Sequence, residues 1–292
     1  MEEVFETEKE LTLDPDGRPI NCTLWHVPSC DKLLIISPSM GTSRHFYKHI
    51  ARHFCSLGYT VISLDYAGMF HEGSHIIKDQ EQIRMANFGK LDINEVIAYA
   101  LKNYPEASLF FLGHSMAGQV FPLAPNNKHV KAVYLIASQN ISTHLWNGFA
   151  KLYVWLFWNL IIPVMLKSLH YLPGFTFLGK KALHKNIAED WAKCGKSRDG
   201  ILSVVEGARE LYQHTKMPVK FISIEGDDLL APYESVKRLV ESYGSPLKEH
   251  EHLSPADTGG RKMNHFDFYR KEFSFLWQKM HEWFMAQQDR HG

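Results

Sequence analysis

Ser115 sits in the run Gly113-His114-Ser115-Met116-Ala117-Gly118, directly after the apolar stretch Leu109-Phe110-Phe111-Leu112. A short buried strand that turns through small residues into a helix strains the backbone of the central residue and exposes its side chain, which suits a nucleophilic serine. Gly113 and Ala117 matter here because a larger Cβ at either position would meet neighbouring backbone. The run departs from G-x-S-x-G at Ala117, where alanine replaces the second glycine. A serine hydroxyl also needs a base to take its proton, and that base needs an anion to hold its tautomer and stabilise the imidazolium. Asp227 and Asp228 follow the apolar run Phe221-Ile222-Ser223-Ile224 and precede Pro232, so both are candidates for the anion. Of the 17 histidines, His265 stands just ahead of the terminal helical segment and is the candidate base. His114 adjoins the serine but points across the turn and is read as packing, while His250, His252 and His281 fall inside regular elements.

The elements that must position these groups alternate. Residues 4–13 and 21–27 read as strands joined by the turn Asp14-Pro15-Asp16-Gly17, forming an antiparallel edge. Residues 33–36, 60–64, 108–112, 131–137, 219–224 and 248–253 read as further strands, most of them continuous apolar runs. Helices are expected over 44–57, ended by Gly58, and over 89–103, 116–124, 233–243 and 266–287. This alternation predicts an α/β fold with a mostly parallel sheet covered by helices on both faces. The rhythm breaks over 139–217, where no buried strand is expected and the composition turns aromatic, with Trp146, Phe149, Tyr153, Trp155, Phe157, Trp158, Tyr171, Phe175 and Phe177. We read this segment as a helical lid inserted between two parts of one core, residues 1–138 and 218–292.

Taken together, the segment from Ile35 to Tyr47, the turn Leu64-Asp65-Tyr66-Ala67-Gly68, the Ser115 turn, the aspartate loop and His265 resemble the α/β-hydrolase superfamily. The similarity is greatest to lid-bearing bacterial hydrolases of the serine aminopeptidase and monoglyceride lipase-like group, and it spans about residues 5–285. The resemblance implies an α/β-hydrolase fold and a catalytic triad in the order Ser, acid, His. It favours Asp228 as the acid, because Asp228-Leu229-Leu230-Ala231-Pro232 matches an acid followed four residues later by proline; Asp227 is the alternative. It also implies an oxyanion hole built from two backbone N–H groups, here those of Met40 and Met116. The loop Ser37-Pro38-Ser39-Met40-Gly41-Thr42 lacks the family's His-Gly pair, and Met69-Phe70-His71-Glu72-Gly73-Ser74 replaces a shorter glycine-rich turn.

The expected activity is hydrolysis of a carboxylic ester, thioester or related acyl bond of a small apolar substrate, with Trp155 and Trp158 of the insertion as pocket walls. Competing readings are a ligand-binding protein without turnover and an acyltransferase or lyase on the same scaffold. Lys plus Arg equals Asp plus Glu at 32 each, so no global field draws nucleic acid. No ligand-spaced His or carboxylate cluster and no G-x-G-x-x-G run occurs, so neither a metal nor another cofactor is expected. Cysteines at 22, 30, 55 and 194 read as free thiols, and the acidic start lacks the pattern of a signal peptide, so a cytoplasmic setting is expected. Residues 152–166 are apolar but interrupted by Asn159 and Pro163, and are shorter than the roughly 20 residues that span a bilayer. No transmembrane segment is expected; weak interfacial contact through the lid is the one membrane role considered.

Overall fold

A computed structural model describes residues 7–28, 30–174 and 181–288. The start of the first expected strand, with Val4, and the aromatic residues Phe175 and Phe177 lie outside these residues. The strands are β1 (Thr7–Leu13), β2 (Ile20–His26), β3 (Lys32–Ser37), β4 (Tyr59–Leu64), β5 (Ser108–His114), β6 (Val130–Ile136), β7 (Tyr171–Leu172), β8 (Leu183–His184), β9 (Val219–Ile224) and β10 (Lys248–Leu253). The helices are α1 (Lys48–Ser56), α2 (Asn94–Asn103), α3 (Ala117–Val120), α4 (Gly148–Leu156), α5 (Ile162–Leu169), α6 (Lys185–Lys196), α7 (Ile201–Val204), α8 (Ala208–Gln213), α9 (Tyr233–Ser242) and α10 (Ser274–Gln288).

Eight strands form one sheet in the order β1-β2-β4-β3-β5-β6-β9-β10. β2 is antiparallel to both its neighbours, and every pair from β4 through β10 is parallel. Parallel strands covered on both faces must be apolar throughout, which is why Leu33, Leu34, Ile35 and Ile36 of β3 are all fully buried. β10 sits at the edge, with Lys248, His250 and Glu251 half-buried and Glu249 exposed, charges that discourage pairing with another chain. The register aligns the carboxyl ends of the central strands: Ser37 lies opposite Gly113, His114 opposite Ile136, and Ile136 opposite Ile222. The loops that follow β3, β5, β6 and β9 therefore emerge side by side, where open parallel sheets place their ligands.

Several helices differ from the sequence expectation. The helix after Ser115 spans only Ala117–Val120 and continues as a tighter turn through Pro122, whose ring cannot extend an α-helix. The terminal helix starts at Ser274, and residues 267–273 form short 3-10 turns instead. Between β6 and β9 the chain is helical, but it also carries the two-residue antiparallel pair β7–β8, with Leu172 and Leu183 buried. The largest difference is in this insertion, where α4, a wide π-helical turn at Phe157–Ile161 and α5 run together as one helix, Gly148–Leu169. Asn159 does not break it, because its side-chain amide donates to the Trp155 carbonyl one turn back. Pro163 follows the π turn, where the ladder is already loosened. At 22 residues this helix is long and apolar enough to cross a membrane, which corrects the expectation that the apolar stretch is too short.

Candidate active site

Ser115 has φ of 54°, left-handed backbone that is costly for any residue with a Cβ. The strain is held from both sides. The Ser115 N–H donates to the Ile136 carbonyl at 2.8 Å, continuing the β5–β6 pairing beyond the last strand residue. A Cβ on Gly113 would stand 2.7 Å from Leu135 Cδ2 and 3.1 Å from Ala117 Cβ, so a larger residue there would have to displace the Leu135 side chain and loosen the turn. Ala117 is tolerated because the second close approach falls one residue later: a Cβ on Gly118 would stand 2.6 Å from Ser138 Cβ.

The His265 Nδ1–H donates to Asp227 Oδ2 at 2.6 Å, and both side chains are buried. The expectation for Asp228 is corrected: Asp227 makes this contact, and Asp228 is exposed. The reason lies in the turn that leaves β9. Asp227 N–H donates to the Ile224 carbonyl at 3.1 Å, closing a β-turn whose third residue, Gly226, has φ of 91°. Asp227 thus ends the turn facing inward, and its neighbour faces solvent.

His114 proves more than filler. It is fully buried, and burial followed by the neighbouring His265 holds its pKa well below the ordinary imidazole value. Its Nε2–H donates to the His265 carbonyl at 3.0 Å, and its Nδ1 accepts from the Tyr47 hydroxyl, also at 3.0 Å. Tyr47 Oη in turn accepts from the Ser39 N–H at 3.1 Å. One chain of hydrogen bonds therefore joins the loop after β3, the residue before Ser115 and the loop that carries His265.

The Met40 and Met116 N–H groups donate to no protein acceptor among the described residues. Gln139 was not foreseen. Its side-chain amide donates to the Leu230 carbonyl at 3.0 Å, which fixes Oε1 toward Ser115, and Ser115 Oγ donates to that oxygen at 3.4 Å. No sequence pattern marks Gln139; only its place just beyond β6, beside the end of β5, brings it to the serine.

Ser115, His265, Gln139, Ser39 and Met40 open into a pocket walled by Ile141, Trp146, Tyr153, Val154, Phe157, Trp158, Trp191, Leu229, Leu230 and Phe266. It is a slot of about 70 Å³. Trp158 lines it, but Trp155 does not: its side chain is half exposed and stays out of the slot. Trp191 of α6, unforeseen in the sequence, stands in its place, with its ring 5.0 Å from Trp158 and 5.6 Å from Phe157. A Cβ on Gly195 would stand 2.4 to 2.5 Å from the Trp158 indole, so that glycine sets how far the indole withdraws from the slot.

An eight-stranded, mostly parallel sheet with a strained serine at the turn that follows a central strand defines the α/β-hydrolase fold. The chain belongs to the hydrolase family described as serine aminopeptidase S33, which it matches over residues 28–254. It is also 30% identical over 112 residues to a monoglyceride lipase homolog of Monkeypox virus, a match covering 37% of this chain and 38% of that relative. Among solved structures it resembles a soluble variant of monoglyceride lipase from Saccharomyces cerevisiae, with TM-score 0.63 and 14% identity over 96% of this chain and 95% of that one. Est1E from Butyrivibrio proteoclasticus has a TM-score of 0.61 and 14% identity, covering 96% of this chain and 99% of that one.

Proposed function

We propose that the protein is a serine hydrolase that cleaves a carboxylic ester, thioester or related acyl bond of a small apolar substrate. The observation that carries this reading is a buried His265–Asp227 pair opening into the same slot as Ser115, the residue with left-handed backbone. Ser115 Oγ turns from Gln139 toward His265 and attacks the acyl carbon as His265 Nε2 takes its proton. Asp227 keeps the Nδ1 proton in place and stabilises the imidazolium formed. The Met40 and Met116 N–H groups meet the tetrahedral oxyanion, replacing water with fixed donors. The leaving group departs with the proton from His265, and water, activated by the same histidine, releases the acid from the acyl-enzyme. The reading requires no metal and no cofactor.

The slot itself selects among acyl compounds. An aminopeptidase must hold a substrate ammonium, and burying one without a carboxylate is costly. Among the described lining residues there is no Asp or Glu, and aromatic and aliphatic side chains dominate. That favours an apolar acyl group, the kind of bond named by the monoglyceride lipase relatives. The helical insertion supplies Trp146, Tyr153, Val154, Phe157, Trp158 and Trp191 to this wall and so acts as the lid. A fluorophosphonate probe tests the chemistry: labelling should vanish in Ser115→Ala and His265→Ala, and labelling that survives the serine change refutes it. Hydrolysis of p-nitrophenyl esters of graded length then reports the depth of the slot.

A further inference from the structure

The Gly148–Leu169 helix has two faces with different fates. Val154, Phe157, Trp158 and Ile162 are buried against the core, and the first three wall the slot. The outer face is apolar as well: Phe149 is 91% exposed, Leu152 55%, Trp155 50%, Leu160 54% and Val164 45%. Their spacings are three, three, five and four residues, the five crossing the wide π turn at Phe157–Ile161, and they extend about 22 Å along the helix at 1.5 Å per residue. The most apolar stretch of the helix has a mean hydropathy of 1.7, yet only 22% of it is buried. Spanning a bilayer would strip the inner face from the slot it builds, so the length of the helix serves a different geometry.

Charge identifies what covers the outer face. The whole chain is balanced, but the sequence between Glu106 and Glu189 contains no Asp or Glu. The helix itself carries Lys151 and Lys167; Lys180, Lys181 and Lys185 follow in the same carboxylate-free stretch, Lys181 standing over the Phe70 ring. Lys193 and Lys196 of α6 join Lys167 along the groove beside α5, with Glu189 among them. An apolar stripe with exposed aromatic rings and flanking lysines complements the headgroup region of an anionic bilayer. A second copy of the same face would instead set lysine against lysine.

We infer that the outer face of the Gly148–Leu169 helix docks flat on an anionic phospholipid surface, with its inner face holding the slot directly above the lipid. This goes beyond the hydrolase reading and does not depend on it. The test is flotation of the full chain with vesicles of phosphatidylcholine alone or enriched in phosphatidylglycerol, at low and high salt. The protein should float with the anionic vesicles, and less so at high salt. Phe149→Ser/Trp155→Ser/Leu160→Ser should lower partitioning at least about tenfold and leave fluorophosphonate labelling in free solution within about twofold, because none of the three side chains lines the slot. Lys151→Glu/Lys167→Glu keeps the apolar stripe and should remove the preference for phosphatidylglycerol. Three results would overturn the inference: no flotation, equal flotation with both vesicle types, or a wild-type dimer that the triple substitution turns into a monomer. Loss of labelling in the wild type would count against the hydrolase reading and leave the flotation result standing.

Discussion

Replacing Asp227 by asparagine keeps the shape of the site and removes a single negative charge, which makes it the sharpest test of the proposed chemistry. The carboxylate stands 2.6 Å from His265 Nδ1, and both groups are buried. For an effective dielectric near 20, a pair of unit charges about 4 Å apart is worth about 4 kcal/mol. In the proposed mechanism the imidazolium forms as Ser115 attacks, so that energy would act on the transition state, and at about 1.4 kcal/mol per tenfold it corresponds to about 10³ in rate. The asparagine amide adds a second fault. It can donate to Nδ1, which drives the proton to Nε2 and leaves no lone pair facing the serine. Asp227→Asn should therefore lower kcat by about 10³- to 10⁴-fold with KM little changed. Asp228→Asn, at an exposed side chain, should stay within about threefold of wild type. Steady-state hydrolysis of a short p-nitrophenyl ester, with thermal melts to confirm folding, measures both. A large loss in Asp228→Asn beside near-normal activity in Asp227→Asn would refute the assignment.

Gly195→Ala should push the Trp158 indole into the slot and shorten the preferred acyl chain, because the new Cβ would lie within 2.5 Å of the ring; an unchanged chain-length profile would contradict this. Tyr47→Phe leaves the buried Ser39 N–H and His114 Nδ1 without a partner. Each orphaned group costs about 1 to 3 kcal/mol, so urea denaturation should show a loss of a few kcal/mol, and a change below about 0.5 kcal/mol would count against the network. Burial, with His71 and Lys185 nearby, pushes His184 down to about 4, and its Nδ1 accepts the Asn186 N–H at the start of α6. The unfolded chain takes up that proton near the ordinary value while the folded chain resists it, so this contribution is intact above about 6.5 and is lost as pH falls toward about 4. His184→Asn keeps an acceptor at the cap without the proton and should flatten the decline of melting temperature over that window; an unchanged slope would exclude His184 as its source.

The strands were legible because a parallel sheet covered on both faces demands short, nearly continuous apolar runs, as in Leu33 to Ile36 and in Phe221 to Ile224, where only Ser223 interrupts. Ser115 was legible because its constraint is local: the small residues that make room for the turn are its immediate neighbours. The choice between Asp227 and Asp228 depended on direction rather than spacing. Counting back four residues from Pro232 selects Asp228, whereas Glu225-Gly226 at the centre of a β-turn turns Asp227 inward. Reading Gly226 as the turn position that requires positive φ was the signal available. Trp155 and Trp158 were not separable for a related reason: a helix apolar on both faces gives no phase to its pattern. Trp191 and Gln139 come from elements remote from Ser115 in sequence, and no short pattern announces either.

The hydrogen-bond chain through His114 explains why the residue before the nucleophile is a histidine rather than a simple apolar filler. Its Nε2–H holds the carbonyl of His265, and its Nδ1, through Tyr47, holds the Ser39 N–H next to Met40. An apolar residue could fill the same space but could neither donate to the His265 carbonyl nor accept from Tyr47, and a charged imidazolium could not accept from Tyr47. Burial that keeps His114 neutral is therefore what allows one ring to serve as donor on one side and acceptor on the other. The end of β5 thus fixes three things at once: the strained serine, the backbone that carries the candidate base, and the loop that carries one candidate oxyanion donor. The acid loop is tied in separately, by Trp146 Nε1–H donating to the Leu229 carbonyl and by Gln139 donating to that of Leu230. Trp146 belongs to the helical insertion, so this hydrogen bond ties the insertion directly to the loop that carries Asp227.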